Sequence, residues 1–432
     1  MTTTNFNIAA ICMLAALAVP AFSQVNKASK QNSQQEIADL QKKKPVAQAL
    51  GLIQTNASRC TADLIRLTEI PAPPFGEQKR GELFREMLIA EGAHDVTIDS
   101  IGNVLYLRKG RSGKKTVVLD AHLDTVFPLE TDVKVKHHGD TLCAPGIIDD
   151  TRGLAVLLQI VRVLNQSNIV TNNDVLFVAS VGEEGPGDLR GVRYLLQHRT
   201  VDSWISLDAG EGGFGGITNG ALGSLRYKVT VKGPGGHSWG AFGTGNTHHA
   251  LARAIDYFTR EATQYTSQPG PKTSFNVGVI GGGTSVNSIP FESWMEVDMR
   301  SEDATRLADI DKIFQNSIRK GIDDYNMTLS KGPHLSVQFK RTGYRPSGAT
   351  AADHPLVKRT ASVISYFGEK PELGINSTNS NIPISKGIPA VTIGMGGKGG
   401  HPHSLAEWWM PDGTATAAEK MVLVLVLLEA GE

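Results

Sequence analysis

Four apolar runs in this sequence each end at a side chain able to bind a metal ion. Thr116-Val-Val-Leu leads into Asp120-Ala-His122-Leu-Asp124, and Val175-Leu-Phe-Val-Ala-Ser-Val leads into Gly182-Glu183-Glu184-Gly185. Trp204-Ile-Ser-Leu ends at Asp208, and Ala390-Val-Thr-Ile runs into a glycine-rich loop that reaches His401-Pro-His403. In open α/β sheets ligands bind beyond the carboxyl ends of the strands. One such coincidence carries little weight; four together point to a site. A further cluster, Asp149-Asp150, stands just before a helical stretch. A single Asp there would be a helix cap or dipole partner. Two adjacent acids after Gly146 fit one ligand with a neighbour that orients it.

Imidazole and carboxylate ligands suit Zn²⁺, and also Co²⁺ or Mn²⁺. A catalytic metal lowers the pKa of a bound water and polarises a carbonyl oxygen. Two metals ~3.5–4 Å apart need a carboxylate between them, and the reaction needs a separate general base. The Glu183-Glu184 pair supplies both kinds of group at one strand end, one to bind metal and one to carry a proton. Asp124 follows His122 by two residues and can hold its ring in the ligating tautomer. A two-carboxylate glycosidase is excluded, because the histidines have no place in that mechanism.

These side chains need a sheet to carry them. Alternation and β-branched content predict strands over Asn103–Leu107, Thr116–Ala121, Val175–Val181, Trp204–Leu207 and Ala390–Ile393. Helical periodicity covers Val46–Thr68, Glu77–Glu91, Gly153–Leu164, Val357–Tyr366 and Ala415–Leu428. Strands alternating with helices predict a mixed, largely parallel α/β sheet with helices on both faces. Between them, Leu225–Lys232, Asn246–Ala262, Phe275–Ile280, Trp294–Met299, Ser301–Ile322 and Leu335–Lys340 read as strand, helix, strand, strand, helix, strand. That order is an inserted split-βαβ unit, with Ser301 the expected cap of its second helix.

The domain division expected is 1–23 signal peptide, 24–45 linker (with an exposed first helix the alternative over Gln24–Lys44), 46–222 first catalytic part, 223–345 lid and 346–432 second catalytic part. The signal peptide rests on the apolar run Ile8–Val19 followed by small residues at Ala21 and Ser23, and it predicts a periplasmic or secreted protein. Val422–Leu428 is too short to span a bilayer. The 43 basic and 43 acidic residues of the 432 balance, so no net field favours nucleic acid or an anionic membrane. Cys60 and Cys143, the two cysteines after the leader, make no disulfide framework and no C-x-x-C metal pair, and leave a single bridge between them open.

In order and spacing, His122-Leu-Asp124, Asp149-Asp150, Gly182-Glu183-Glu184-Gly185, Asp208, Gly235-Gly236-His237-Ser238 and His403-Ser-Leu-Ala-Glu407-Trp408 resemble the dinuclear zinc peptidases of metallopeptidase family twenty. That family includes aminoacylase, carboxypeptidase and peptidase T, and the resemblance runs from about Ile70 to the C-terminus. The Ile70–Glu77 segment and the Glu183-Glu184 loop look most like the peptidase T branch. The resemblance implies a zinc-peptidase catalytic domain with an inserted lid and two divalent ions per subunit, most simply Zn²⁺. His122 and Asp208 would complete one metal site, Glu184 and His403 the other, with Asp149 bridging. Glu183 would be the general base, and Asp124 would orient His122. His401 competes with His403, but His403 has the family's Glu four residues on, at Glu407. From the lid, His237 would help hold the oxyanion, commonly across a homodimer contact, while Asn287 and Arg300 would grip the substrate. An ion pair with Asp298 or Glu302 is the structural alternative for Arg300.

The sequence departs from many relatives at Ser377-Thr-Asn-Ser-Asn381, where they carry Asp-Ala, and at Ile147-Ile148, where they carry smaller residues. The expected function is hydrolysis of amide bonds in short peptides, with N-acyl amino acid deacylation as the alternative. A non-catalytic peptide-binding homologue would need a broken ligand set.

Overall fold

The computed structural model describes residues 33–208 and 212–432. The expected signal peptide (1–23) and the start of the expected linker lie outside the described residues. Residues 33–45 do not form a linker. Residues 33–42 are helical, and Ile37 and Leu40, three positions apart and so on one face, are buried in the main core. A second helix, Lys44–Thr55, follows at once with Pro45 in its first turn.

The main sheet runs in the spatial order Thr97–Ile98, Val104–Arg108, Asp174–Ser180, Thr116–His122, Ser203–Leu207, Ala390–Ile393, Gly216–Ala221 and Gly348–Ala349, with Glu372–Asn376 also pairing Gly216–Ala221. Its four central strands are parallel, and antiparallel strands flank them. Both faces are covered. Along Thr116–His122, Val117, Leu119 and Ala121 enter the larger core, under the helices Lys44–Thr55, Thr151–Gln166 and Gly413–Ala430. Val118 points the other way, to Val192 and Leu195 of the Arg190–His198 helix. This period-2 split is what a doubly covered strand requires, and each such buried aliphatic side chain contributes about 1.5–3 kcal/mol. Gly413–Ala430 is buried along most of its length, and among the described residues no helix is long and apolar enough to cross a membrane.

The inserted unit has its own sheet, ordered Thr273–Gly282, Glu292–Ser301, Gly223–Lys232, Ser336–Arg345 and antiparallel throughout. The helices Thr247–Thr266 and Ala304–Asn326 pack on it around Phe258 and Phe314, forming a separate core. The expected cap Ser301 is instead the last residue of a strand. The helix starts later, at Ala304, and the Asp303 side chain accepts from Arg306 N. A third, small sheet joins Lys136–His138, Thr141–Cys143, Trp408–Met410 and Lys398–Gly400. Cys60 and Cys143 are free thiols.

Candidate metal centre

Three strand ends and one helix start converge beyond the carboxyl edge of the parallel strands. His122 closes Thr116–His122 and is 1% exposed. Its Nδ1 lies 2.9 Å from the main-chain oxygen of Asp124. With that oxygen accepting the Nδ1 proton, Nε2 is turned toward Asp149 Oδ1, 3.1 Å away. The Asp124 carboxylate is expected to orient the ring, yet it stands 3.6 Å from Nδ1, too far for a hydrogen bond. It accepts instead from the main-chain N–H groups of Glu183 (2.9 Å) and Glu184 (2.8 Å). Asp124 thus fixes the ring through its backbone and the Glu pair through its side chain.

Asp149 sits before the helix Thr151–Gln166, in a loop held by a residue from far along the chain. Both carboxylate oxygens of the fully buried Glu407 accept from this loop: Gly146 N (2.8 Å) on Oε2, Ile148 N (2.8 Å) and Asp149 N (3.1 Å) on Oε1. Asp150, also fully buried, accepts from His122 N at 2.8 Å. Gly153 must stay without a side chain, because a Cβ there would stand 2.2 Å from Asp150 Oδ1.

The Glu pair follows Gly182, whose φ of +64° turns the chain sharply after the Asp174–Ser180 strand. Glu184 Oε1 meets His403 Nε2 at 2.9 Å, and the same nitrogen lies 3.0 Å from Asp149 Oδ2. Asp149 therefore presents one oxygen to each histidine. His403 comes from the loop between Lys398–Gly400 and Trp408–Met410. Its neighbour His401 is exposed as well, and among the described residues its one hydrogen bond is through its main-chain oxygen, from Ser404 N at 3.2 Å. Asp208 follows the Ser203–Leu207 strand, with its N–H on Ile393 O at 3.3 Å. It feels the charges of Asp149, His122 and Glu184.

The electrostatics describe a site with too much negative charge for its depth. Burial, followed by the charge of Asp149, raises the Asp208 carboxyl to about 7. Burial raises Glu183 to about 8, although the nearby Arg345 works against it. Hydrogen bonds to Asp149 and Glu184 lift His403 to about 10. His122 is also raised well above its ordinary value, its burial outweighed by Asp124 and Asp149. Protonated imidazoles here stand where cations belong. The donor set fits divalent ions on its own terms: ligand atoms of His122, Asp149 and Glu184 lie within 4.8 Å of one another, all nitrogen or oxygen.

The lid candidates stand apart from this cluster. Gly236–His237 pairs with Ser288–Ile289, and Ser238 N donates to Asn287 O at 2.9 Å, so His237 lies on one strand and Asn287 in the turn that leads into its partner. His237 Nδ1 accepts from Trp239 N and Gly240 N, and Asn287 Oδ1 accepts from Ser285 Oγ. Arg300 Nε donates to Asp298 Oδ2 at 2.7 Å, the structural alternative anticipated for it. Among the described residues, no hydrogen bond or ion pair joins these three to the ligand cluster.

Two residues beside the site are not among the candidates the sequence offers. Arg345 binds the Glu183 carboxylate at 2.9 Å. Asp120, buried under the site, accepts from Trp204 Nε1 (2.6 Å), Asn379 Nδ2 (2.7 Å) and Ser206 Oγ. The Ser377–Asn381 departure therefore belongs to the support beneath the site. Ser377 Oγ accepts from Arg345 at 3.0 Å, and Asn381 holds both chain crossings into the lid.

Comparison with known proteins agrees with this geometry. The sequence model of Peptidase family M20/M25/M40 matches residues 118–426. Succinyl-diaminopimelate desuccinylase of Corynebacterium glutamicum is 26% identical over 240 residues, 54% of this chain; the match spans 64% of that protein, just under two thirds of its length. A tripeptidase structure from Staphylococcus aureus superposes with a TM-score of 0.72 at 21% identity, covering 87% of this chain and 99% of the other. A Bacillus subtilis protein described as a dinuclear metal-binding peptidase superposes at 0.64 with 17% identity, over 87% and 99%.

Proposed function

Because the chain belongs to peptidase family M20/M25/M40, we propose that it is an exported, dinuclear metal-dependent hydrolase of amide bonds in short peptides. One observation carries the reading: Asp149 sets one carboxylate oxygen against His122 and the other against His403. A single-metal site has no need of that arrangement. His122 and Asp208 would hold one ion, Glu184 and His403 the other, with Asp149 between them. Zn²⁺ suits the donors best, with Co²⁺ or Mn²⁺ the substitutes.

Bound ions would lower the pKa of an attacking water and polarise the scissile carbonyl. The chain's own residues do the rest. Glu183 takes the water proton on its carboxylate and passes it to the leaving amine nitrogen. Asp124 keeps His122 and the Glu pair in register. Glu407 keeps Asp149 in place. The lid residues His237, Asn287 and Arg300 would grip the substrate, with His237 serving a partner copy in a homodimer. The likeness to the tripeptidase supports a short peptide as substrate. The likeness to the desuccinylase favours a second reading, hydrolysis of an N-acyl amino acid. Export rests on the apolar run Ile8–Val19.

The test is Glu183→Gln in protein reconstituted with Zn²⁺, assayed on di- and tripeptides and on N-acyl amino acids. Turnover should fall by about 10²–10⁴-fold, while metal content stays equal to that of the unaltered protein. Undiminished turnover would overturn the role of Glu183, and a chain that retains no metal would overturn the whole reading.

A further inference from the structure

Arg345 is the last residue of the lid strand Ser336–Arg345, paired with Ser224, and it is only 6% exposed. Its guanidinium leaves the lid and enters the catalytic cluster. Nη1 donates to Glu183 Oε1 at 2.9 Å, and Nη2 donates to the main-chain oxygen of the same residue. One rigid fork therefore holds both the backbone and the side chain of Glu183. Among the described residues Glu183 Oε2 has no hydrogen-bond partner, so the fork leaves that oxygen free. Nη1 also reaches Ser377 Oγ at 3.0 Å.

The segment around Arg345 is held equally firmly. Tyr344 N donates to both oxygens of Asp188, at 3.1 and 3.0 Å, on the loop that follows the Glu pair. Pro346 O accepts from Asn381 Nδ2 at 3.0 Å, and the same amide donates to Leu222 O at 2.9 Å. Leu222 and Pro346 are the two points where the chain passes between the main sheet and the lid sheet. Arg345 is aimed at the one member of the Glu183-Glu184 pair that is assigned no metal.

We propose that Arg345 is a positioning residue for hydrolysis. It fixes Glu183 so that Oε2 faces the attacking water, and it ties that orientation to the end of the lid strand. The inference rests on Glu183 being the general base.

The experiment compares the Zn²⁺-loaded full chain with Arg345→Ala, Arg345→Lys, Glu183→Gln and the Arg345→Ala, Glu183→Gln pair. Arg345→Ala should lower kcat by on the order of 10²-fold with KM little changed and metal content retained. Millimolar guanidinium ion should restore part of the lost kcat. Hydrogen exchange should quicken in the Gly182–Gly187 peptide and stay constant in the main-sheet strands. In the Glu183→Gln background Arg345→Ala should cost nothing further. Should Arg345→Ala fail to fold, Arg345→Lys still decides: lysine keeps the charge but cannot hold two groups at once, so kcat should fall about tenfold at constant KM. Arg345 variants with unaltered kcat, or a loss confined to KM, overturn this inference while leaving an inactive Glu183→Gln variant to support the base. An active Glu183→Gln variant overturns the base itself.

Discussion

The two halves of this molecule treat their polar side chains in opposite ways. At the carboxyl edge of the main sheet, His122, Asp120, Asp124, Asp150 and Glu407 are essentially buried, and each is held by main-chain or side-chain partners. On the lid, His237 on a two-stranded ribbon and Asn287 in the turn beside it lie exposed, next to Trp239 at 87% and Phe242 at 80% exposure. A buried charge must be paired or must bind an ion, so the first region is a centre assembled within one chain. The lid ribbon presents apolar and polar groups that this chain leaves uncovered, as a surface awaiting substrate or a second copy would. The folded chain is complete at one end of its chemistry and open at the other.

Asp149→Ala attacks the assembled side hardest. It removes the one group shared by both histidines, so metal retention should fall and hydrolysis should be abolished, measured by elemental analysis and peptide assay together. Full metal content in that variant would show that Asp149 is no bridge. Glu407→Gln is the next step down. The amide replaces one carboxylate oxygen with a donor, so one or more of Gly146, Ile148 and Asp149 N–H loses its acceptor. Metal affinity should drop about 10–100-fold, the cost of losing a group that orients a ligand, read by competition with a chelator.

The pH response separates the metal-free centre from the loaded one. His403 is raised to about 10 without metal, against about 6.5 in an unfolded chain. A group raised in this way stabilises the folded metal-free protein below the unfolded value, and the gain is lost as pH climbs through the folded value. Metal binding has the opposite sign, because the ion must displace that proton. Between about pH 6.5 and 10, metal affinity should rise with pH while the melting temperature of metal-free protein falls. Calorimetry in buffers of different ionisation enthalpy should show proton release on binding. Binding without proton uptake or release over that range would contradict the imidazolium pairing.

The same contrast governs what the sequence discloses. Candidate ligands at strand ends are legible, because apolar runs mark the strands and their last residues must face the carboxyl edge. His122, the Glu183-Glu184 pair and Asp208 are singled out that way, His403 is preferred to His401 through the family resemblance, and the lid's strand and helix order is legible from periodicity. Partners that arrive from a distant part of the chain are not. Arg345 reaches Glu183 across 162 positions, and Glu407 reaches Gly146 across 261, distances over which no local pattern operates. The strand Gly216–Ala221 is rich in glycine and holds its place through its neighbours, so its composition does not announce it. Local competition also shifted a boundary: Ser301 and Asp303 both suit a helix cap, and the strand's register with Gly223 claims Ser301.

The smallest expected effect tests the open side. Trp239 is 87% exposed, so Trp239→Ser removes almost no buried apolar area from the single chain. Its stability should change by no more than about 0.5 kcal/mol, the range of surface substitutions away from packed features. Light scattering is then the informative measurement. If the ribbon is covered by a second copy, the variant should shift toward monomer at a given concentration, and exposed tryptophan fluorescence in the unaltered protein should report dilution in the same way. If substrate alone covers it, the oligomeric state should stay constant and KM should rise. A marked fall in thermal stability would mean that Trp239 packs within its own chain, and the contrast between a closed centre and an open lid would then fail at the residue where it is sharpest.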